Sequence, residues 1–521
     1  MSKLDVFSNI TSLVSQDLKD GGAFKYASYL VTTVLFFAVI YSQRDRYPDL
    51  PRLNPKGRWE FGWGKRVTHY MNHSVELLAE GTRRFGDKPY KLFTDLGDAV
   101  IIPPKYADEL KGHRGLSFLE MAEDSFHGYV PGLDALVAQP ATAKVVNSHL
   151  TKALMKLTAP LMEEASLSLE ELFGESKEWH ETTVDKIMAL VSRISSRIFM
   201  GEELCRSKEW VEASGAWVQA AFKVVYALRL FPRSWRPYVH WFLPVARDAR
   251  RKVKICREIL QPHIDVRRVV KAEAIAKGEP NPFDDSIEWF EQECKTNYDP
   301  ATCQLQLTLL AIHTTTDLLV TALVDIAKHP EIIGPLREEI INVLSTEGLK
   351  KSAFQKLRLM DAVLKESQRL RPLMILFFRR KALEDITLSD GFKIKKGTAI
   401  GLDGPSLLFN ENDYPDALRW DPYRYIKMRE AGQESKAHLV SVTPQHFGFG
   451  HGIHACPGRF FAANELKIAL AQILLKYDIK VPKDVESLPK SFTGSSYVIP
   501  RGTRFLIRRR QEELDFNTLE M

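Results

Sequence analysis

One cysteine stands among glycines near the C-terminal end of the chain, in Phe447-Gly-Phe-Gly-His-Gly-Ile-His-Ala-Cys-Pro-Gly-Arg-Phe-Phe-Ala-Ala-Asn464. Gly448, Gly450, Gly452 and Gly458 bracket Cys456, so the backbone can bend sharply and approach a flat ligand closely. Pro457, suited to the first position of a helix, is followed by an amphipathic run from Arg459 to Tyr477, with Phe461, Leu466, Ala469, Leu470, Ile473 and Leu474 at helical spacing. Cys456 therefore precedes a helix N-terminus, where the dipole and the loop amides favour a thiolate, the form that binds iron. The same residue types permit another metal: His451, His454 and Cys456 offer three ligands of a zinc site, which needs a fourth.

A second stretch suits proton chemistry. Asp299-Pro300 reads as a cap followed by a first-position proline, and the pattern predicts a helix from there to His329-Pro330. Its middle, Leu309-Leu-Ala-Ile-His-Thr-Thr-Thr-Asp-Leu-Leu-Val320, sets Thr314, Thr315 and Thr316 in an apolar helix. Threonines there can hydrogen-bond back to the preceding turn, a distortion that opens room for a small molecule and its water. The bland alternative is a buried helix with satisfied hydroxyls. Further on, Glu366 and Arg369 stand three apart on one helix face, which by itself signals an exposed pair worth under about 1 kcal/mol.

The pattern Phe449-x-x-Gly452-x-His454-x-Cys456-x-Gly458 resembles the haem-binding loop of the cytochrome P450 family. The resemblance implies that Cys456 is the axial ligand of haem b, pushing electron density toward the iron. His454 stands where the family usually has an arginine reaching a haem propionate, so the resemblance implies a weaker, pH-sensitive contact. In the central helix it makes Ala311 the small residue, puts Thr314 in the place of the usual acid and makes Thr315 the proton-relay threonine. Ile312 replaces the usual glycine, and the acid is displaced to Asp317. Arg380 falls at a propionate-binding position, with Arg379 as the competing candidate. The tryptophan and arginine that the family often has near Lys144 to Thr151 are missing, leaving His149 as a stand-in. Trp420-Asp-Pro-Tyr-Arg424 resembles the segment whose arginine completes a buried network with Glu366 and Arg369 behind the haem. All four motifs occur in the family's order.

The implied fold is mainly α with a smaller β region (α+β), carrying an N-terminal transmembrane anchor. The implied activity is monooxygenation of an apolar small molecule, with electrons from NADPH through an external NADPH-cytochrome P450 reductase, because the chain shows no flavin-binding segment. Ile101 to Tyr106, Leu190 to Gly201 and the cysteine loop are similar to fungal secondary-metabolism enzymes of the ent-kaurene oxidase type, which points to a terpenoid. Alternatives are an alkaloid or indole diterpene substrate, a haem-thiolate isomerase or dehydratase, favoured by the altered Thr314 position, and a non-catalytic haem sensor.

The elements that must hold these residues follow from the rest of the chain. With 521 residues, 45% hydrophobic and 26% charged, the chain has the composition of a folded globular protein. A net charge of +6 without dense basic clusters does not argue for nucleic acid. Five scattered cysteines fit a reducing compartment. Residues 1–25 read as a lumenal segment and 26–43 as a transmembrane helix, with Arg44, Arg46, Arg52, Lys56 and Arg58 after it placing the bulk in the cytosol, on the endoplasmic reticulum membrane. Residues 44–58 form a basic, proline-rich hinge and 59–521 the haem domain. Strands are expected from Tyr90 to Ile102, turning at Gly97-Asp98, and around Asp390-Gly391. A helix from Ala141 to Leu157, helices to about Val270 and a polar loop from Lys271 to Asp285 follow. Of Trp210, Trp217, Phe222, Phe231, Trp235, Trp241 and Phe242, most are expected in the core and some at the pocket roof and a membrane-facing entrance.

Overall fold

The computed structural model describes residues 29, 30, 32, 33, 45–57, 60, 62–231, 233–295, 298–486, 491–500 and 502–519. Two compact units separate, Met1–Pro51 and Arg52–Met521. The expected lumenal segment and transmembrane helix lie outside the described residues, apart from Tyr29, Leu30, Thr32 and Thr33, which are helical and exposed.

The larger unit is a helical body with small sheets at its margins. Pro300–Lys328 is its axis: 29 residues, with 56% of its most apolar stretch buried. Among the described residues it is the one helix long and apolar enough to cross a membrane, and the packing makes it the core helix of this body. It packs against Val184–Cys205, Arg358–Leu370 and Arg459–Lys476. The last of these also lies on Thr151–Phe173. Burying several such apolar faces against one another is what stabilises the body, at about 25 cal/mol per Å² of apolar surface removed from water.

A five-stranded sheet runs in the order Tyr90–Thr94, Gly97–Ile102, Ala399–Asp403, Leu376–Ala382 and Leu116–Ser117. The first hairpin turns at Asp95 and Leu96, because Thr94 pairs with Gly97, not at Gly97-Asp98 as expected. Gly97 supplies the positive φ, 105°, from the first position of the second strand. The turn around Asp390-Gly391 joins Ile386–Thr387 to Lys393–Ile394 as expected. Strand Arg504–Arg509 is sandwiched between His180–Thr183 and Tyr477–Lys480.

Two other boundaries move. The helix Pro244–Lys277 overruns the expected end near Val270, because Lys271 to Lys277 are good helix formers and Gly278, in the left-handed region at φ 72°, is the first residue suited to stop it. Asp299 precedes Pro300 as read, yet its side chain makes no cap hydrogen bond. It accepts instead from Thr302 Oγ1 at 2.5 Å and Arg257 Nε at 2.9 Å. Fewer of the aromatic residues are core than expected: Trp210 and Trp217 are buried and Phe222 and Phe231 half-buried, whereas Trp235, Trp241 and Phe242, with Tyr238, are exposed because they stand in the connection between helices Lys208–Arg229 and Pro244–Lys277.

Candidate active site

The cysteine loop is shaped by its own backbone. Gly450 N–H donates to Phe447 O at 2.9 Å, Ala455 N–H to Gly452 O at 3.0 Å and Cys456 N–H to Phe449 O at 2.8 Å. Gly452 has φ 71°, and a Cβ there would overlap the Lys111 carbonyl. Helix Arg459–Lys476 takes Gly458 as its N-cap, so Pro457 lies outside the cap and not at the first helical position. Arg459 Nη1 reaches back to Cys456 O at 2.8 Å. The amides of Gly458 and Arg459 and the Arg459 charge all favour a thiolate, but burial outweighs them and raises the Cys456 pKa. The helix terminus therefore does not ionise this thiol by itself. The charge of a coordinated metal would, since coordination deprotonates a thiol outright.

The zinc alternative fails on geometry. Among the described residues no group of three or more His, Cys, Asp and Glu side chains is placed to hold a metal ion. His451 Nε2 turns to Asp108 at 3.5 Å and His454 Nε2 to Leu116 O at 3.0 Å.

The central helix is π-helical over Thr308–His313, one turn before the threonines. Such bulges recur at functional sites. Thr314 Oγ1 donates to Leu310 O at 2.8 Å, the back-bond expected of a mid-helix threonine. Leu310 is 42% exposed and Thr314 is also open, whereas Thr308, Ile312, Thr315 and Thr316 are buried. Leu310, Thr314 and Asp317 fall at i, i+4 and i+7, one face of the helix. Burial pushes Asp317 up to about 7. Thr316 Oγ1 is buried without a hydrogen-bond partner.

Arg380 is buried, donates from Nη1 to Arg379 O at 2.8 Å and stacks over Phe378 and Phe118 at 4.7 and 5.3 Å. Its Nε and that of Arg459 are buried without partners, and burial alone lowers Arg380 to about 10. Unsatisfied guanidinium donors, one beside and one within the loop that cradles the thiol, fit a flat ring with an acidic edge, and hence haem. His454 answers differently from expectation. Its Nε2 faces a carbonyl and so carries the proton, leaving the neutral ring only an acceptor at Nδ1. Burial first, then the Arg380 charge, lowers its pKa, so near neutrality it has no donor for a carboxylate. His149 is engaged elsewhere: Nε2 lies 2.9 Å from Glu293 Oε1 and the ring stacks on Trp289 at 5.9 Å.

Glu366, Arg369 and Arg424 come together. Glu366 Oε2 accepts from Arg369 Nε at 2.9 Å, and Oε1 accepts from Arg369 Nη2 at 2.8 Å, Arg424 Nε at 3.0 Å and Asp421 N–H at 3.1 Å. Glu366 and Arg369 side chains are wholly buried, unlike the exposed pair that spacing alone signals. A second buried network escaped the sequence: Asp361 binds Lys467 at 2.7 Å and Arg429 at 2.9 Å. Its members lie too far apart in the chain for any local spacing to reveal them.

A family model described as Cytochrome P450 matches residues 55–507. The chain is 48% identical over 497 residues to the cytochrome P450 monooxygenase eqxH of Fusarium heterosporum, covering 94% of this chain and 96% of that relative. Its identity to the cytochrome P450 monooxygenase hepE of Aspergillus oryzae is 38%, over 93% of this chain and 90% of the relative. For the cytochrome P450 monooxygenase adrA of Penicillium rubens it is 39%, over 90% and 94%.

Proposed function

This chain belongs to the cytochrome P450 family of monooxygenases, and from that premise we propose that it oxidises an apolar secondary metabolite in a fungal pathway, a terpenoid being the favoured class. Membership brings haem with a cysteine thiolate ligand, a redox partner that supplies electrons and a small-molecule substrate. In finer terms the cofactor is haem b on Cys456, cradled by the loop from Phe449 through Gly452 to Gly458, and the electrons come from NADPH through an external reductase. The observation that carries the reading is the open Leu310 and Thr314, with the half-buried Asp317 on the same face of the core helix, in a body that also holds the glycine-cradled Cys456.

Bound haem supplies the activation of molecular oxygen; positioning and proton handling are the protein's part. Cys456 Sγ holds the iron and Arg380 the acidic edge of the ring. Leu310 and the apolar wall exclude water and orient the substrate. Thr314 and Thr315 hydroxyls hand protons inward, and Asp317 stores one. A carboxyl at about 7 is matched to proton transfer near neutrality. This group answers the observation that favours an isomerase or dehydratase, an alcohol at the Thr314 position, since the acid is regained one helical turn further on.

Asp317→Asn is expected to remove a limb near pH 7 from the turnover profile and to raise peroxide release over product. The variant also removes a stability term. A carboxyl raised in the fold binds its proton more tightly than in the unfolded chain, so its stabilising effect is present below about pH 4 and is lost as pH rises to about 7. An unchanged pH profile in Asp317→Asn would take the residue out of the relay.

For the membrane, we propose the segments as 1–25 lumenal, 26–43 spanning, 44–58 hinge and 59–521 haem domain, on the endoplasmic reticulum. Exposed Trp235, Tyr238, Trp241 and Phe242 support a face of the body that meets lipid. The function is tested by incubating enzyme, reductase and NADPH with a panel of terpenoids, alkaloids and indole diterpenes. Oxygen uptake coupled to product is expected. Product without oxygen or NADPH selects the isomerase reading, and a thiolate carbonyl spectrum without turnover on any compound selects the sensor.

A further inference from the structure

Two arginines stand side by side on strand Leu376–Ala382, and the fold sends them to different neighbours, as alternation across a strand requires. Arg380 lies over Phe118, and its charge acts on His454 of the cysteine loop. The charges that act on Arg379 come instead from Tyr70 of helix Gly64–Phe85, Asp95 of the first hairpin turn and Arg229 at the end of helix Lys208–Arg229. None of these belongs to the cysteine loop. Burial lowers the Arg379 pKa, yet the residue is only half-buried, so a ligand can reach it.

Among the described residues no carboxylate forms an ion pair with it, although the Asp95 charge favours its protonated form. Its one hydrogen bond runs from Nη2 to Ser125 Oγ at 3.5 Å, and Ser125 already donates to Met121 O at 2.6 Å. Asp95, the carboxylate of the group, is committed to Arg229 at 2.6 Å. Tyr70 is neutral: its hydroxyl lies 2.6 Å from Ser495 Oγ and burial raises its pKa. Two guanidinium groups share one carboxylate, and a positive charge is left over in a dry setting where an unpaired ion is costly.

We propose that Arg379 anchors an acidic group of the substrate, a carboxylate, at the end of an otherwise apolar molecule. The proposal rests on the oxygenase reading above and narrows its substrate from any apolar compound to one with an anionic end. Guanidinium is well suited to this, since its planar fork binds a carboxylate through two parallel hydrogen bonds. Arg379 is then a specificity determinant, and Arg380, its neighbour, serves the cofactor.

The test uses the haem-loaded enzyme and two probes, laurate and methyl laurate, titrated by calorimetry. Wild type is expected to bind the acid at least about tenfold more tightly than the ester, a modest return for one charge-assisted pair. Arg379→Gln should erase that preference with haem content unchanged, and Arg379→Lys should keep part of it. Arg380→Gln should lose haem while its loaded fraction still prefers the acid. Wild type without a preference for the acid, including binding of neither probe, overturns the proposal with no variant needed. It is overturned equally if the preference survives in Arg379→Gln, or if that variant loses haem as Arg380→Gln does. The carbonyl band of the same sample separates the two readings: a normal thiolate band with no acid preference sinks only the anchor, whereas no thiolate band sinks the oxygenase reading itself.

Discussion

Cys456→Ser is expected to abolish the red-shifted carbonyl band of the reduced protein and to reduce monooxygenase turnover to background. The argument is that the loop supplies a position and the sulfur supplies the chemistry. The bends at Gly450 and Gly452 and the hydrogen bond from Cys456 N–H to Phe449 O are made by backbone, so a serine can occupy the same conformation. The hydroxyl has no comparable anionic form. Even the thiol is raised by burial here and needs the metal charge to lose its proton, and an alcohol starts from a much higher pKa. Electron donation from sulfur, which favours O–O cleavage, goes with it. The measurement is the difference spectrum of the reduced, carbonyl-bound protein against wild type, with urea midpoints confirming that the fold survives. A serine variant that keeps the red-shifted band would falsify the ligand assignment.

What the sequence made legible was local. The cysteine loop, the long central helix and the pair at Glu366 and Arg369 each lie within a few residues, where spacing decides geometry, and the structure has each at the expected place in the chain. The buried state of that pair is not legible in its spacing, because an identical three-residue spacing on a solvated face looks the same; the resemblance of the Trp420 to Arg424 segment implies it. Only Arg424, more than fifty positions on, makes the difference visible. The alternation of Arg379 and Arg380 across their strand was readable in principle, but the partners that decide their roles come from a helix, a turn and a loop far away in sequence. His454 illustrates another limit. Its position was read correctly, whereas the proton on Nε2 is set by Leu116 O, which no motif includes. Turn and helix ends moved for simpler reasons. Gly97 looks like a turn residue but is the first strand residue after the turn, and Lys271 to Lys277 look like loop for their polarity, although polar residues of that kind sustain a solvated helix until Gly278.

Glu366→Ala is expected to be the most destabilising single change in the body, and the order of the three network variants is the sharper prediction. Glu366 uses both oxygens on Arg369 and adds Arg424 and the Asp421 amide, so its loss strands two cations, one of them wholly buried. Breaking a buried pair by removing one partner typically costs about 3–5 kcal/mol, a large part of the roughly 5–15 kcal/mol that holds a domain together. Arg369→Ala should cost less, since Glu366 keeps Arg424, although Arg369 Nη1 also holds Leu408 O at 2.7 Å and its guanidinium lies over Tyr414 at 4.7 Å. Arg424→Ala should cost least, because its side chain is 10% exposed and water can reach what it leaves behind. Urea midpoints at constant m-value give the stabilities, and the ratio of haem to protein reports whether the cysteine loop still closes. Haem loss should follow the same order, for a mechanical reason. The helix that carries Glu366 and Arg369 also carries Gln368, whose side chain meets His446 at 2.9 Å and leaves Gly448 no room for a Cβ. A shift of that helix is therefore felt directly at the start of the loop. Equal costs for all three variants, or Arg424→Ala as the worst, would mean that the carboxylate is not the centre of the network.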